Sequence, residues 1–181
     1  VKSPAVFKGY FKDEEATKEC VDENGWLYTG DVGVFDGEFL KIVDRKKDII
    51  ITSGGKNVSP QEIENKIKIS PFINDALVIG DKRKFLSVLI AIEFETVSNW
   101  ALRKNIAHTT YRDLSEKKEV RDLVWGEILK ANAETSTLEI RKFKMIPKEL
   151  DHEDGEMTAT QKIKRNVLME KFSDLIEDMY S

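Results

Sequence analysis

The order of apolar and polar positions divides the chain into a strand-rich first part and a second part in which strands and helices alternate. Two short apolar runs, residues 32–35 and 39–43, flank Asp36-Gly37. This dipeptide favours the left-handed turn of a tight hairpin, so the two runs are predicted to pair as strands. The charged cluster Asp44-Arg45-Lys46-Lys47-Asp48 follows and is too polar for a core, which predicts a domain boundary there. Residues 9–31 are predicted to be mainly loop.

The second part opens with the clearest helix start in the sequence. Ser59 is predicted to cap the helix, Pro60 to occupy its first position and Glu62 to close a capping box. Ile63 and Ile67 lie one turn apart and predict its buried stripe. The other predicted elements are strands at 76–79 and 86–92, a short helix near 97–101, a helix over 116–132, a strand at 143–146 and a terminal amphipathic helix over 168–179. Strands interleaved with helices indicate a small α+β domain after the charged cluster.

Composition limits the kinds of function this chain can have. Its formal net charge of −4 argues against a nucleic-acid binder that depends on general phosphate attraction. The single cysteine, Cys20, excludes an internal disulfide, and with only two histidines a Cys/His zinc site is excluded too. All apolar runs are shorter than a membrane span, and no signal peptide follows Val1. A cytoplasmic location is therefore expected, and peripheral association with a membrane stays open.

Three polar segments carry residue types that suit a nucleotide or a phosphoryl group. Asp31 follows a glycine turn, where a carboxylate can accept hydrogen bonds from the vicinal hydroxyls of a ribose. Arg45 offers a planar fork of donors for phosphate oxygens, and the paired Gly54-Gly55 lets a backbone approach a ligand closely. Lys162 lies in a polar loop before the last helix and could stabilise charge on a transferring phosphoryl group. Taken singly, the first two segments fit a solvated turn or linker better, and the third also fits a basic helix start in solvent.

The order of the motifs is more informative than any one of them. Gly-Tyr-Phe-Lys-Asp and Glu-Ala-Thr within residues 9–17 are followed by Tyr-Thr-Gly-Asp, Asp-Arg-Lys-Lys-Asp, Ser-Gly-Gly-Lys-Asn-Val-Ser-Pro-Gln-Glu-Ile-Glu and Thr-Gln-Lys-Ile-Lys-Arg. In this order they resemble the adenylate-forming superfamily of acyl-CoA synthetases, adenylation domains and luciferases. The segment Thr158-Ala159-Thr160-Gln161-Lys162 and the long polar stretch 99–138 are most similar to the long-chain fatty acid–CoA ligases.

This resemblance implies two domains joined by a hinge. Residues 1–43 would be the end of a large N-terminal domain, 44–48 the hinge, and 49–181 the complete small mobile domain. The implied fold class is α+β, a short sheet packed by helices and preceded by a β-rich tail of the large domain. Since Val1 is not a start methionine, the chain is expected to be a fragment that is inactive alone. The missing part would hold the acyl pocket, the phosphate loop and the ligands of Mg²⁺.

The reaction implied is activation of a fatty acid with ATP as an acyl adenylate, followed by transfer of the acyl group to coenzyme A. Lys162 would be the catalytic lysine of the first step, and no metal ligand is predicted within the chain. The other site residues implied by the resemblance are Asp31, Arg45 and Lys47 for ATP and AMP, with Lys47 also at the hinge, and Gly54, Gly55 and Lys56 for coenzyme A. Gln161 departs from the family, which usually has glycine before the lysine, and this puts the geometry of the loop in question.

Two other functions stay open at this point. The enzyme could deliver its acyl group to a carrier protein, or the chain could be a non-catalytic interaction module with the same fold. Retention of Asp31, Arg45 and Lys162 together disfavours the module. A nucleic-acid module that uses the basic residues 162–171 is disfavoured by the acidic net charge and the lack of an aromatic platform there.

Overall fold

The computed structural model describes residues 1–134 and 139–181. The chain divides into two compact units, Val1–Asp48 and Ile49–Ser181. The last residues of the polar stretch 99–138, residues 135–138, lie outside the described residues.

The first unit contains one short helix and one hairpin. Strands β1 (Asp31–Asp36) and β2 (Phe39–Arg45) are antiparallel, with Asp31 opposite Arg45 and a register shift between Val32 and Gly33. Gly37 closes the hairpin with a φ of 61°, as its turn chemistry predicts. Helix α1 (Glu14–Cys20) occupies part of the region predicted to be loop, so that prediction is wrong for these residues. The Asp13 carboxylate accepts a hydrogen bond from Ala16 N–H and caps the helix.

The second unit begins with a two-residue ladder and the predicted helix. Strands β3 (Ile50–Ile51) and β4 (Asn57–Val58) pair antiparallel around a tight turn. Helix α2 (Pro60–Ile67) starts where the sequence predicts, because Ser59 Oγ accepts a hydrogen bond from Glu62 N–H (3.3 Å).

The main sheet of the second unit has the order β5-β6-β7. Strands β5 and β6 form an antiparallel hairpin, and β7 is parallel to β6 after a helical crossover. The bounds are β5 (Ile73–Ile79), β6 (Leu86–Ile92), α3 (Phe94–Arg103), α4 (Tyr111–Glu116), α5 (Lys118–Ala133), β7 (Ile140–Met145), α6 (Arg165–Lys171) and α7 (Ser173–Tyr180). The sequence predicts one terminal helix, whereas two are found. The chain leaves helical geometry at Phe172 (φ −110°, ψ 26°), whose side chain is buried.

Both faces of this sheet are covered, which makes β5 and β6 buried along nearly their whole length. Alternate residues of the hairpin enter two separate apolar clusters. Val78, Val88 and Ile90 join one cluster with residues of α2 and α5. Leu77 and Leu89 join the other with residues of α6 and α7. The α+β prediction of a short sheet packed by helices is therefore confirmed.

Candidate functional site

Asp31 and Arg45 face each other across the hairpin of the first unit. They are register partners, and Nε of Arg45 lies 3.7 Å from Oδ1 of Asp31. The side chains are 61% exposed for Arg45 and 33% exposed for Asp31, so both remain reachable by a ligand. A carboxylate that accepts hydroxyl hydrogens and a guanidinium that donates to phosphate thus stand side by side. The hairpin register brings together two predicted site residues that are far apart in sequence.

The charged cluster ends in a turn. The N–H of Asp48 donates to the carbonyl of Arg45 (3.0 Å), and the N–H of Lys46 donates to the carbonyl of Gly30 (2.7 Å). The side chain of Lys47 is exposed in this turn. Lys47 therefore contributes little to core packing, and its ammonium group is accessible to a ligand.

The Gly54-Gly55 turn lies between β3 and β4 in the second unit. It is closed by Thr52, whose N–H donates to the carbonyl of Lys56 (3.0 Å) and whose hydroxyl accepts from Lys56 N–H (3.2 Å). Gly55 has a φ of 74°, which favours glycine, and a Cβ there would meet no atom within 4 Å. The turn is exposed, so its backbone can be approached from solvent.

A second turn, between β5 and β6, braces the glycine turn. Ser53 N–H donates to the carbonyl of Arg83 (3.0 Å), and Ile51 N–H donates to the Asp81 carboxylate (3.2 Å). The Arg83 side chain in turn pairs with Glu177 and stacks on the ring of Tyr180, 4.6 Å from its centroid. The glycine turn is thus connected to α7, and no local pattern in the sequence predicted this link.

Lys162 lies near the tip of a narrow hairpin that spans residues 156–164. Met157 and Ile163 form a β-bridge, and the N–H of Thr158 donates to the carbonyl of Lys162 (2.8 Å). The N–H of Lys162 donates back to the Thr158 hydroxyl (3.1 Å). The lysine side chain itself is exposed. An ammonium on a four-carbon stem at an exposed hairpin tip is accessible to an anionic ligand.

Gln161 occupies a left-handed backbone conformation with a φ of 57°. Glycine adopts this region freely, whereas a residue with a Cβ is strained there. Its N–H donates to the carbonyl of Thr158 (2.9 Å), which closes the turn just before the lysine. The tight turn that glycine would form is therefore kept despite the departure from the family pattern.

The base of the Lys162 hairpin rests on Glu156, whose residue surface is completely buried. Both carboxylate oxygens of Glu156 lie 3.0 Å from Nζ of Lys148, and Lys171 Nζ lies 2.6 Å from Oε1. The N–H of Asp151 donates to Oε2 (3.0 Å). Burial alone would raise the pKa of Glu156, but the hydrogen bonds from Lys171, Asp151 and Lys148 outweigh it and hold that pKa below its usual value.

A second buried carboxylate holds the start of α6. Oε1 of Glu64 accepts hydrogen bonds from the N–H of Val78 (2.7 Å) and from Nη2 of Arg165 (2.6 Å). Arg165 also donates from Nη1 to the carbonyl of Val78 (2.9 Å). Glu64 of α2 and Arg165 of α6 are thereby both bonded to Val78 of β5. Arg165 follows Lys162 by three residues. Sequence reasoning missed Glu64 and Glu156 as site-supporting residues, since nothing local marks a charge as buried.

The described residues offer little for a resident metal or a membrane span. No group of three or more His, Cys, Asp and Glu side chains within residues 1–134 and 139–181 could hold a metal ion. In those same ranges, no helix is both long and apolar enough to cross a membrane.

The profile of the AMP-binding enzyme C-terminal domain matches residues 47–181. The chain belongs to this family. The resemblance inferred from the ordered motifs is thereby confirmed. The AMP-binding enzyme C-terminal domain includes the glycine turn and the Lys162 hairpin, while Asp31 and Arg45 precede it.

Individual relatives point in the same direction. The chain is 39% identical over its whole length to the long-chain-fatty-acid–CoA ligase FadD15 of Mycobacterium tuberculosis, of which it covers 30%. Among solved structures, the adenylation domain of a carboxylate reductase from Mycobacterium chelonae superposes with a TM-score of 0.80. The match covers 99% of this chain and 27% of the reductase domain's chain, at 24% identity. An identity this low supports a common fold and no more. The o-succinylbenzoate CoA synthetase of Bacillus subtilis, solved with its acyl-adenylate intermediate, is 26% identical, with a TM-score of 0.62 over 92% of this chain and 29% of that one.

Proposed function

We propose that this chain is the C-terminal part of an AMP-forming long-chain fatty acid–CoA ligase. The enzyme uses ATP to activate a fatty acid as an acyl adenylate and then transfers the acyl group to coenzyme A. The observation that carries the proposal is the 39% identity over the whole chain to a long-chain-fatty-acid–CoA ligase. The exposed Lys162 on its hairpin, within the family's domain, supports it. A cytoplasmic location belongs to the same proposal.

The proposed organisation has a large N-terminal domain, a hinge and a small mobile domain. Residues 1–43 are the end of the large domain, 44–48 the hinge and 49–181 the small domain. The chain covers 30% of the relative FadD15, which leaves room in such a protein for the large domain. The hairpin of the first unit also exposes several large apolar side chains, which a larger domain could cover: Val34, Phe35, Phe39, Leu40 and Ile42.

In the first half-reaction, a carboxylate oxygen of the fatty acid attacks the α-phosphorus of ATP, and the bond from that phosphorus to pyrophosphate breaks. Asp31 would accept hydrogen bonds from the ribose hydroxyls, while Arg45 and Lys47 would contact the nucleotide. Lys162 would bridge the attacking oxygen and the phosphate, where negative charge accumulates in the transition state. Mg²⁺, if bound, would neutralise phosphate charge, and its ligands are proposed to lie in the large domain.

In the second half-reaction, the thiol of coenzyme A attacks the acyl carbon, AMP leaves and the thiol proton is released. Gly54 and Gly55 would line the path of the pantetheine chain, because a backbone without side chains allows close approach. Lys56 would lie at the same turn. A lysine that fills the thiol's space would obstruct this step, so a rotation about residues 44–48 is proposed to withdraw Lys162 and present the glycine turn.

A second candidate function is adenylation followed by delivery to a carrier protein. The fold shared with the adenylation domain of a carboxylate reductase is compatible with it, but at 24% identity this likeness does not decide which thiol accepts the acyl group. Both candidates share the adenylation step and differ only in the thiol that accepts the acyl group.

The full-length enzyme separates these possibilities when it is supplied with ATP, Mg²⁺, fatty acids of different length and, as acceptor, either coenzyme A or a carrier protein. We expect AMP, pyrophosphate and, with coenzyme A present, a long-chain acyl-CoA. Formation of ADP, or acyl transfer only to a carrier protein, would overturn the ligase assignment. The 181-residue chain alone should show no ATP–pyrophosphate exchange, and measurable exchange would contradict the proposed division of the site.

A further inference from the structure

Glu156 is a completely buried carboxylate at the first residue of the Lys162 hairpin, residues 156–164. Its backbone carbonyl accepts a hydrogen bond from the N–H of Lys164 (2.8 Å), the last residue of the hairpin. One residue therefore fixes both strands of the hairpin where they leave the body of the unit.

The partners of Glu156 come from separate parts of the fold. Lys148 lies in the segment after β7, Lys171 at the end of α6, and the N–H of Asp151 between β7 and the hairpin. Asp154 adds a second carboxylate that pairs with Lys148 and lies 3.7 Å from Lys171. These contacts tie the base of the hairpin to the segment after β7 on one side and to the end of α6 on the other.

A buried carboxylate is tolerated only when cations and hydrogen-bond donors surround it closely. Lys148 and Lys171 are partly exposed (34% and 39%), so the position of Glu156 depends on its direct bonds to both ammonium groups and to the N–H of Asp151. The tip of the hairpin, by contrast, is exposed and is closed by the short bonds among Thr158, Gln161 and Lys162. The hairpin thus has an exposed tip and a base held by ion pairs and hydrogen bonds.

We propose that Glu156 is a positioning residue for Lys162, and that its ion cluster sets the place at which the hairpin presents the lysine to the reacting phosphate. This inference rests on the proposed role of Lys162 in adenylation. Catalysis by a bridging cation depends on placement, and a displacement of about 1 Å can slow a step by roughly 100-fold.

The test uses Glu156→Gln in the full-length enzyme, because glutamine keeps the size of the side chain and removes its charge. Lys148 and Lys171 then lose the carboxylate between them, and the base of the hairpin at residue 156 is held less firmly. We expect adenylation, measured by ATP–pyrophosphate exchange, to slow by about 10-fold or more. Thioester formation from a supplied acyl adenylate should change by less than about twofold, since the lysine is withdrawn in that step.

A double-mutant cycle with Lys162→Ala separates positioning from a general structural role. If Glu156 acts through Lys162, then Glu156→Gln should have no further effect on adenylation once the lysine is gone. Equal fold-losses with and without Lys162, or parallel losses in both half-reactions, would overturn the proposal.

Asp75→Asn is the matched control. Asp75 is another buried carboxylate of the same unit, on β5, and its ion pair is with Lys68 at 3.3 Å rather than with Lys148 or Lys171. Both half-reactions should be unchanged in this variant. Loss of adenylation in Asp75→Asn as large as in Glu156→Gln would mean that any buried charge in the unit matters, which refutes a specific role for Glu156.

A milder variant keeps the test decisive if Glu156→Gln does not fold. Lys171→Gln removes one partner whose side chain is 39% exposed, and it should slow adenylation in the same selective way by a smaller factor. An unchanged rate in this variant would count against the cluster. Failure of the proposed function is distinguishable, since in that case Lys162→Ala alone would leave adenylation intact.

Discussion

Replacing Glu64 by alanine removes the carboxylate that ties α2, β5 and α6 together. Glu64 is only 7% exposed, and its Oε1 holds both Val78 N–H (2.7 Å) and Arg165 Nη2 (2.6 Å). Alanine leaves a buried N–H without its acceptor and a guanidinium without its carboxylate. Arg165 keeps its bond to the carbonyl of Val78.

The magnitude follows from these two losses. Breaking one partner of a buried pair typically destabilises by about 3–5 kcal/mol, and an unsatisfied buried donor by about 1–3 kcal/mol, but these losses overlap. The Arg165 side chain is 24% exposed, so water can recover part of its solvation. We therefore expect Glu64→Ala to lower the free energy of unfolding of the second unit by about 3 kcal/mol.

Urea unfolding of the 181-residue chain, followed by tryptophan fluorescence, measures this quantity. Trp26 lies in the first unit, whereas Trp100 and Trp125 pack on the core of the second. All variants are therefore made in a Trp26→Phe background, in which the signal reports the second unit only.

Glu62→Ala is the control for this prediction. Glu62 lies two residues away on the same helix, is 55% exposed and pairs with Lys66 across one turn. Its loss should lower the free energy of unfolding by no more than about 1 kcal/mol. If Glu64→Ala were as mild as Glu62→Ala, the Glu64–Arg165 tie would contribute no more than a surface pair, and the reasoning would be refuted.

Two further predictions concern the hairpin and the hinge. Gln161 has a φ of 57°, so Gln161→Gly should raise the thermal midpoint of the second unit by relieving up to about 1 kcal/mol of backbone strain. Gln161→Val should lower the midpoint. The reverse order of the two midpoints in calorimetry would contradict the left-handed conformation of this residue. In the full-length enzyme, Lys47→Pro fixes φ near −65° at an exposed turn. It should therefore slow one half-reaction more than the other when the two are assayed separately. Equal losses of rate in both half-reactions would argue against rotation at residues 44–48.

Local rules explain what the sequence predicted well. The Asp36-Gly37 turn and the Ser59-Pro60 helix start depend on residues a few positions apart, so their conformations can be read directly from sequence. The cap of α1 by Asp13 obeys the same rules, but the helix has only seven residues and no buried face, so no apolar periodicity revealed it.

The missed features depend on contacts between distant residues. The break between α6 and α7 occurs at Phe172, whose side chain enters the apolar cluster, and this packing overrides a helical period that continues through it. Glu64 and Arg165 are 101 positions apart, and Glu156 has partners from α6 and from the loop after β7. Nothing in a charged residue's immediate neighbours shows whether the fold will bury it, so the residues that support the candidate lysine could not be found from the sequence.

The most direct test of the proposed function is Lys162→Ala in the full-length enzyme, with Lys164→Ala as its control. Both side chains are exposed, so either change should alter stability by less than about 0.5 kcal/mol. We expect Lys162→Ala to slow ATP–pyrophosphate exchange by roughly 100-fold or more, because a cation aimed at the developing charge is lost. Thioester formation from supplied acyl adenylate should persist, and Lys164→Ala should affect both steps much less. Similar behaviour of the two variants, or an equal loss of thioester formation in Lys162→Ala, would contradict the assignment of Lys162 as the adenylation lysine.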